Sequence, residues 1–138
     1  MSYDLSEVPN QVKKAGTPLS IDSLLKKLVA QVEGATGAIV LEADGEAVQW
    51  YTNADSDRLR LRSAYVAVVL KASRVPAARA ALGDLRSLLL KYDCSCLVVR
   101  EIESDCFVVL ELDHSANLSQ ALFRLDPIIK ELRGEIAA

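Results

Sequence analysis

Arg58, Arg60 and Arg62 alternate with Leu59 and Leu61, just ahead of an alanine- and valine-rich run. Three guanidinium groups so close could grip an acidic surface or steady the charge of a phosphoryl transfer. They open a helix, where positive charge opposes the backbone dipole, so their placement does not serve the helix itself. Three readings stand: solvated pairs with Asp55 and Asp57 or with acidic groups across an interface, a docking patch for a protein partner, or an arginine lent to another protein's reaction centre. The chain contains no Gly-x-x-x-x-Gly-Lys-[Ser/Thr] segment, so it lacks the loop that cradles nucleotide phosphates.

The remaining reactive residues do not assemble into a known centre. Cys94 and Cys96 form a Cys-x-Cys pair with Cys106 ten residues on, and His114 is the single histidine. Zinc asks for four nitrogen or sulfur ligands at recognisable spacings, which this set does not supply, so the cysteines read as small buried or half-exposed hydrophobes. His114 has no Gly-x-Ser-x-Gly partner segment and reads as a loop or cap residue. No catalytic residue, metal or cofactor is expected. Trp50 and Tyr51 end one strand on opposite faces, and whichever points outward is either packing or an anchor for a partner.

Composition narrows the setting. The chain has 138 residues, 51% hydrophobic and 25% charged, with 16 basic and 19 acidic side chains giving a net charge of −3. That suits one folded domain able to bury roughly two thirds of its unfolded surface, and it offers no basic footprint for nucleic acid or an anionic membrane. The apolar runs Ala64–Leu70 and Cys106–Leu110 fall far short of the roughly 20 residues that cross a bilayer. The first ten residues, MSYDLSEVPN, lack a secretion-signal core, and three cysteines suit a reducing compartment, so a cytoplasmic location is expected.

Residues 1–18 show no sustained period and read as an N-terminal tail before a domain at 19–138. Ser20 can cap a helix in which Ile21, Leu24, Leu25, Leu28, Val29 and Val32 share one stripe, with Gly34 as the stop. The segments 38–43 and 46–51 flank Asp44-Gly45, a dipeptide suited to a tight two-residue hairpin. Asp55 or Ser56 can cap a second helix over about 57–73, which Pro76 should break or restart. Residues 85–92, 96–102 and 106–112 read as three strands with short antiparallel links, two of them nearly continuous in apolar residues, as a sheet covered on both faces requires. Leu118 to Leu132 read as a closing helix kinked at Pro127, with Asn117 and Gln120 as an approximate capping box. The order is αββαβββα, an α+β fold. Its first and last helices share one face of the sheet and its middle helix takes the other.

The middle helix poses a question. AYVAVVL, residues 64–70, is apolar all round, whereas covering a sheet needs about a third of a helix's circumference. A second copy of the same helix is the economical cover, forming a self-complementary two-fold pair; the N-terminal arm, or simple exposure, are the alternatives.

GAIVLEADGEAVQW, SLLLKY, CLVVREI and CFVVLELDHSANLSQALFRL, with the alanine-valine helix, resemble the Roadblock/dynein light-chain family over roughly residues 20–133. The most specific part is the last strand passing through an Asp and an Ala-Asn-Leu loop into the closing helix. The tail, Pro76 and Pro127 depart from the family's pattern. The resemblance implies a five-stranded antiparallel sheet between helical layers, and a homodimer through the long helix and the third strand. Leu61, Tyr65, Val68, Val69, Ala72, Leu88 and Leu90 would then form the seam. It further implies a non-enzymatic regulator or scaffold for a small Ras-like GTPase, of the bacterial type, possible as a GTPase-activating partner. Arg58, Arg60, Arg62, Trp50 and Tyr51 are its candidate docking residues. A small-molecule sensor and a purely structural subunit are the alternative functions.

Overall fold

The computed structural model describes residues 20–137; the expected tail at 1–18 lies outside them. Helix α1, Ile21–Gln31, starts where the Ser20 hydroxyl accepts from the Ser23 amide at 3.2 Å, so the expected cap forms. Its apolar stripe buries Leu24, Leu25, Leu28 and Val29. Gly34, with φ +88°, then turns the chain into β1, Ala35–Glu42, which pairs antiparallel with β2, Ala47–Thr52.

The β1–β2 turn is wider than the two-residue hairpin expected. Residues 43–46 lie outside both strands, closed by Gly45 N to Glu42 O at 2.8 Å and Glu46 N to Asp44 Oδ1 at 3.0 Å. The physical reason is a competing partner: the Ala43 amide donates to Asp105 O of the neighbouring hairpin at 3.0 Å, and the register slips between Val40 and Leu41.

Helix α2, Ser56–Arg79, is capped by Asp55, whose carboxylate accepts from the amides of Asp57 and Arg58. It runs unbroken through Pro76, contrary to the break expected there. A proline removes one amide donor without ending a helix whose sheet-facing stripe, Leu59, Ser63, Val66, Ala67 and Leu70, is already held by packing. Strands β3 (Ser87–Lys91), β4 (Ser95–Glu103) and β5 (Cys106–Asp113) follow, and α3, Leu118–Ala137, continues through Pro127. At its start the Gln120 amide donates to Asn117 Oδ1 at 3.0 Å, but the Gln120 side chain accepts from Glu33 N at 3.3 Å, so half of the expected capping box is exchanged for a tie to the end of α1.

The five strands form one antiparallel sheet in the order β2-β1-β5-β4-β3. Alternation along β5 divides two cores. Val108, Leu110 and Leu112 meet α1 and α3, while Phe107 and Val109 meet α2. The expected α+β sandwich, with α1 and α3 on one face and the long helix on the other, is the architecture found.

Candidate protein-docking face

Two apolar stripes run along α2. Leu59, Ser63, Val66, Ala67 and Leu70 turn into the sheet, while Leu61, Tyr65 and Val68 lie roughly 200° around the axis from the first stripe. Leu61 is 72% exposed, Tyr65 51% and Val68 64%, so the second stripe meets no other described part of the chain closely enough to be covered. Ala72 is exposed on the same side, and Val69 is half-buried at its border. The apolar circumference read in AYVAVVL is therefore a buried stripe plus an uncovered one.

Strand β3 extends this face. Among the described residues it is an edge strand, paired with β4 alone. Leu88 and Leu90 are half-buried and lean toward the core under α2. Between the outer stripe of α2 and the β3–β4 turn opens a cavity of about 560 Å³, bounded by Leu61, Tyr65 and Val68 on one side and Tyr92, Cys94 and Leu97 on the other. The Tyr92 hydroxyl donates to the Tyr65 hydroxyl at 3.4 Å, and that bond holds the Tyr92 phenol above its ordinary pKa. Tyr92 was not singled out from sequence, because a tyrosine at the end of a strand carries no periodic signal, and Cys94 was read only as part of the Cys-x-Cys pair and not as a wall of this face.

The arginines at the start of α2 do not pair as expected. Glu111, on the α2 side of β5, is fully buried. One of its oxygens lies 3.2 Å from Arg58 Nη2 and the other 2.9 Å from Arg62 Nη1, and Arg62 Nη1 also donates to Ser95 Oγ at 2.9 Å. The Thr36 hydroxyl donates to the Glu111 carboxylate as well. Asp55, the partner expected from sequence, is occupied by capping the helix. Glu111 was missed, yet it left a trace: a charge interrupting the apolar run CFVVLEL, opposite two arginines one helical turn apart. Arg60 points elsewhere, its guanidinium carbon 5.0 Å from the centroid of the Trp50 ring.

Trp50 and Tyr51 do stand on opposite faces. Trp50 is 36% exposed on the α2 side, while Tyr51 packs against the core under α1 with Lys26 Nζ 5.8 Å from its ring. Of the five candidate docking residues, Arg60 and Trp50 form an outward pair, Arg58 and Arg62 are engaged inside the fold, and Tyr51 is on the far face. The cysteines are spread apart: Cys94 is exposed, Cys96 half-buried and Cys106 buried. Burial, with Glu103 and Glu42 adding to it, pushes the Cys106 thiol up to about 11. His114 is exposed in the turn between β5 and α3.

No protein-family sequence model and no curated protein sequence matches the chain. Solved structures do. A Roadblock/LC7 domain from Streptomyces avermitilis superposes with a TM-score of 0.76 at 21% identity, covering 87% of this chain and 100% of that one. The gliding protein MglB from Thermus thermophilus gives 0.75 at 16% identity, over 83% and 87%. MglC from Myxococcus xanthus gives 0.63 at 24%, over 85% and 99%. The chain has the Roadblock/LC7 fold. Among the described residues, no helix is long and apolar enough to cross a membrane.

Proposed function

We propose that this chain is a homodimeric regulator or scaffold, without catalysis of its own, that binds a small Ras-like GTPase in the cytoplasm. The carrying observation is the second apolar stripe of α2. Leu61, Tyr65 and Val68 are exposed beside the unpaired edge of β3, and a two-fold copy presenting the same stripe and the same edge would cover both at once. Leu88, Leu90, Val69 and Ala72 border that seam.

Dimerisation leaves the Arg60–Trp50 pair outside the seam as an aromatic-cationic anchor of the kind that partners use. A regulator acting through such a surface must bind the GTP and GDP states of its partner with different affinity, since equal affinity shifts nothing. The reading is tested by measuring binding of the purified protein to small GTPases of the same cell, each loaded with GDP or a non-hydrolysable GTP analogue. Binding to one state in preference supports regulation, equal binding to both reduces the role to a scaffold, and binding to neither overturns it.

The apolar cavity favours a second reading, a small-molecule sensor, because Arg62 and Ser95, joined by a hydrogen bond of 2.9 Å, line it among apolar side chains. Thermal stabilisation of the wild-type protein by a small apolar ligand that also shifts the Tyr65 and Tyr92 signals would favour it.

A further inference from the structure

Strand β2 is the other edge of the sheet: among the described residues it pairs with β1 alone. The Asn53 amide donates to Thr36 O at 3.1 Å, and bonding alternates along an antiparallel ladder, so Tyr51 and Gln49 turn their backbone groups toward β1 while Trp50 and Thr52 turn theirs outward. Val48 has no opposite residue on β1, and this bulge leaves Gln49–Thr52 as the regular part of the edge. Each face of that short edge carries a cation beside an aromatic side chain. The Arg60 guanidinium carbon lies 5.0 Å from the Trp50 ring centroid on the α2 side, and Lys26 Nζ lies 5.8 Å from that of Tyr51 on the α1 side. Both cations are exposed, and neither belongs to an ion pair among the described residues. Asp22, one turn before Lys26, accepts from Gln49 Nε2 at 3.4 Å, so the nearby negative charge stands beside Gln49 and not beside the two aromatics.

We propose that β2 takes an extended segment of a partner protein as a further strand, and that this segment carries two adjacent carboxylates. Such an occupant requires the Arg60–Trp50 pair to lie outside the dimer seam, as the functional reading has it, but not that the partner be a GTPase. Successive residues of a strand point to opposite faces, so an added residue beside Trp50 lies on the α2 side near Arg60, and its neighbour beside Tyr51 lies on the α1 side near Lys26. Two adjacent Asp or Glu residues therefore meet one cation each, while the outward backbone groups of Trp50 and Thr52 gain ladder partners. A second copy of β2 fits this edge badly. Two-fold pairing there would bring like cations together on both faces, which is how charged edge strands avoid pairing with their own kind. The same cations admit an acidic strand.

The probe is a capped peptide of about eight residues, alternating valine and threonine around a central Glu-Glu pair, titrated into the full chain and followed by amide NMR shifts. The amides of Trp50 and Thr52 are expected to shift most. Replacing Glu-Glu by Gln-Gln, or using the variant Lys26→Gln/Arg60→Gln, should weaken binding about tenfold, and about 0.5 M salt should narrow that difference. N-methylation of the peptide separates strand addition from plain charge attraction: methylating one alternate set of its amides should abolish binding, and methylating the other set should leave it intact. Equal tolerance of both sets overturns the proposal, and so does equal binding of a Lys-Lys peptide or no binding at all. A peptide that halves the solution mass would make a second copy the occupant of β2 and overturns it too. The peptide experiment contains no nucleotide, so the two readings fail separately: a protein that takes the peptide and ignores both nucleotide states of every GTPase keeps the strand site and loses the regulatory role.

Discussion

Arg62 Nη1 lies 2.9 Å from Glu111 Oε2, and that contact joins the first turns of α2 to the middle of the sheet through a carboxylate with no exposed surface. Arg58 takes the other oxygen, and its buried Nε has no hydrogen-bond partner among the described residues, so the cluster is held at some cost. Removing the carboxylate alone leaves two guanidinium groups facing an apolar layer. Glu111→Gln is expected to lower stability by about 2–4 kcal/mol, discounted from a fully buried pair because both arginines are partly exposed. Adding Arg58→Leu and Arg62→Leu should recover much of that loss, because an apolar replacement of the whole cluster removes the stranded charges. Urea midpoints at constant slope measure both.

Val66 and Val68 stand two residues apart on α2, one fully buried and the other 64% exposed. Arginine at the two positions should therefore fail in different ways. Val68→Arg is expected to keep the far-ultraviolet spectrum of a folded protein and to halve the solution mass at micromolar concentration, because the charge is stranded only in the paired state. Val66→Arg places it in the core and should prevent folding. A Val68→Arg protein that remains a dimer would place the pairing surface elsewhere.

Gly34 and Gly45 both hold positive φ, +88° and +101°, but their surroundings differ. A Cβ on Gly34 would come 2.7 Å from the Cα of Ala116, in the turn that leads into α3, whereas on Gly45 it would meet Ala67 Cβ at an ordinary 3.5 Å. Gly45→Ala should cost about 1–2 kcal/mol from the left-handed backbone alone. Gly34→Ala should cost distinctly more, since the backbone at the α1–β1 and β5–α3 junctions must also part. Thermal denaturation of the pair ranks them, and equal losses would mean that the junction yields freely.

The elements were legible because each announces its own period. The stripe of α1, the near-continuous apolar runs of β4 and β5, and the Ser20 and Asp55 caps are local signals, and all of them stand in the fold. What escaped depends on pairs of segments far apart in the chain. The β1–β2 turn widened because Asp105 competes for the Ala43 amide, and nothing near Asp44-Gly45 encodes that. Pro76 reads as a breaker in isolation, yet α2 carries it on a helix already docked by five residues of one stripe. The arginines were visible as a cluster, but their partner Glu111 lies on the third strand after α2, and spacing along α2 does not identify it. The apolar stripe was legible as excess and not as position: sequence shows that AYVAVVL is apolar all round, while the exposures of Tyr65 and Val68 show which side is left uncovered.

Cys106 provides a pH test of the core between α1, α3 and the sheet. Its thiol is buried, and burial raises its pKa from an ordinary value near 9 to about 11, with Glu103 and Glu42 pushing the same way. The unfolded chain releases this proton first as pH rises, so the contribution is fully present below about pH 9 and is lost as pH climbs toward about 11. Two pH units correspond to about 2–3 kcal/mol at most. Other titrating groups act over the same range, so the quantity to measure is the stability difference between wild type and Cys106→Ala, which carries the cavity cost at every pH and the titration only in the wild type. That difference should shrink between about pH 9 and pH 11. Alkylation near pH 8 should meanwhile modify the exposed Cys94 first and Cys106 last. A difference that stays flat across the range, or a Cys106 as reactive as Cys94, would mean that the thiol meets water in the folded protein and that this end of the sheet is open.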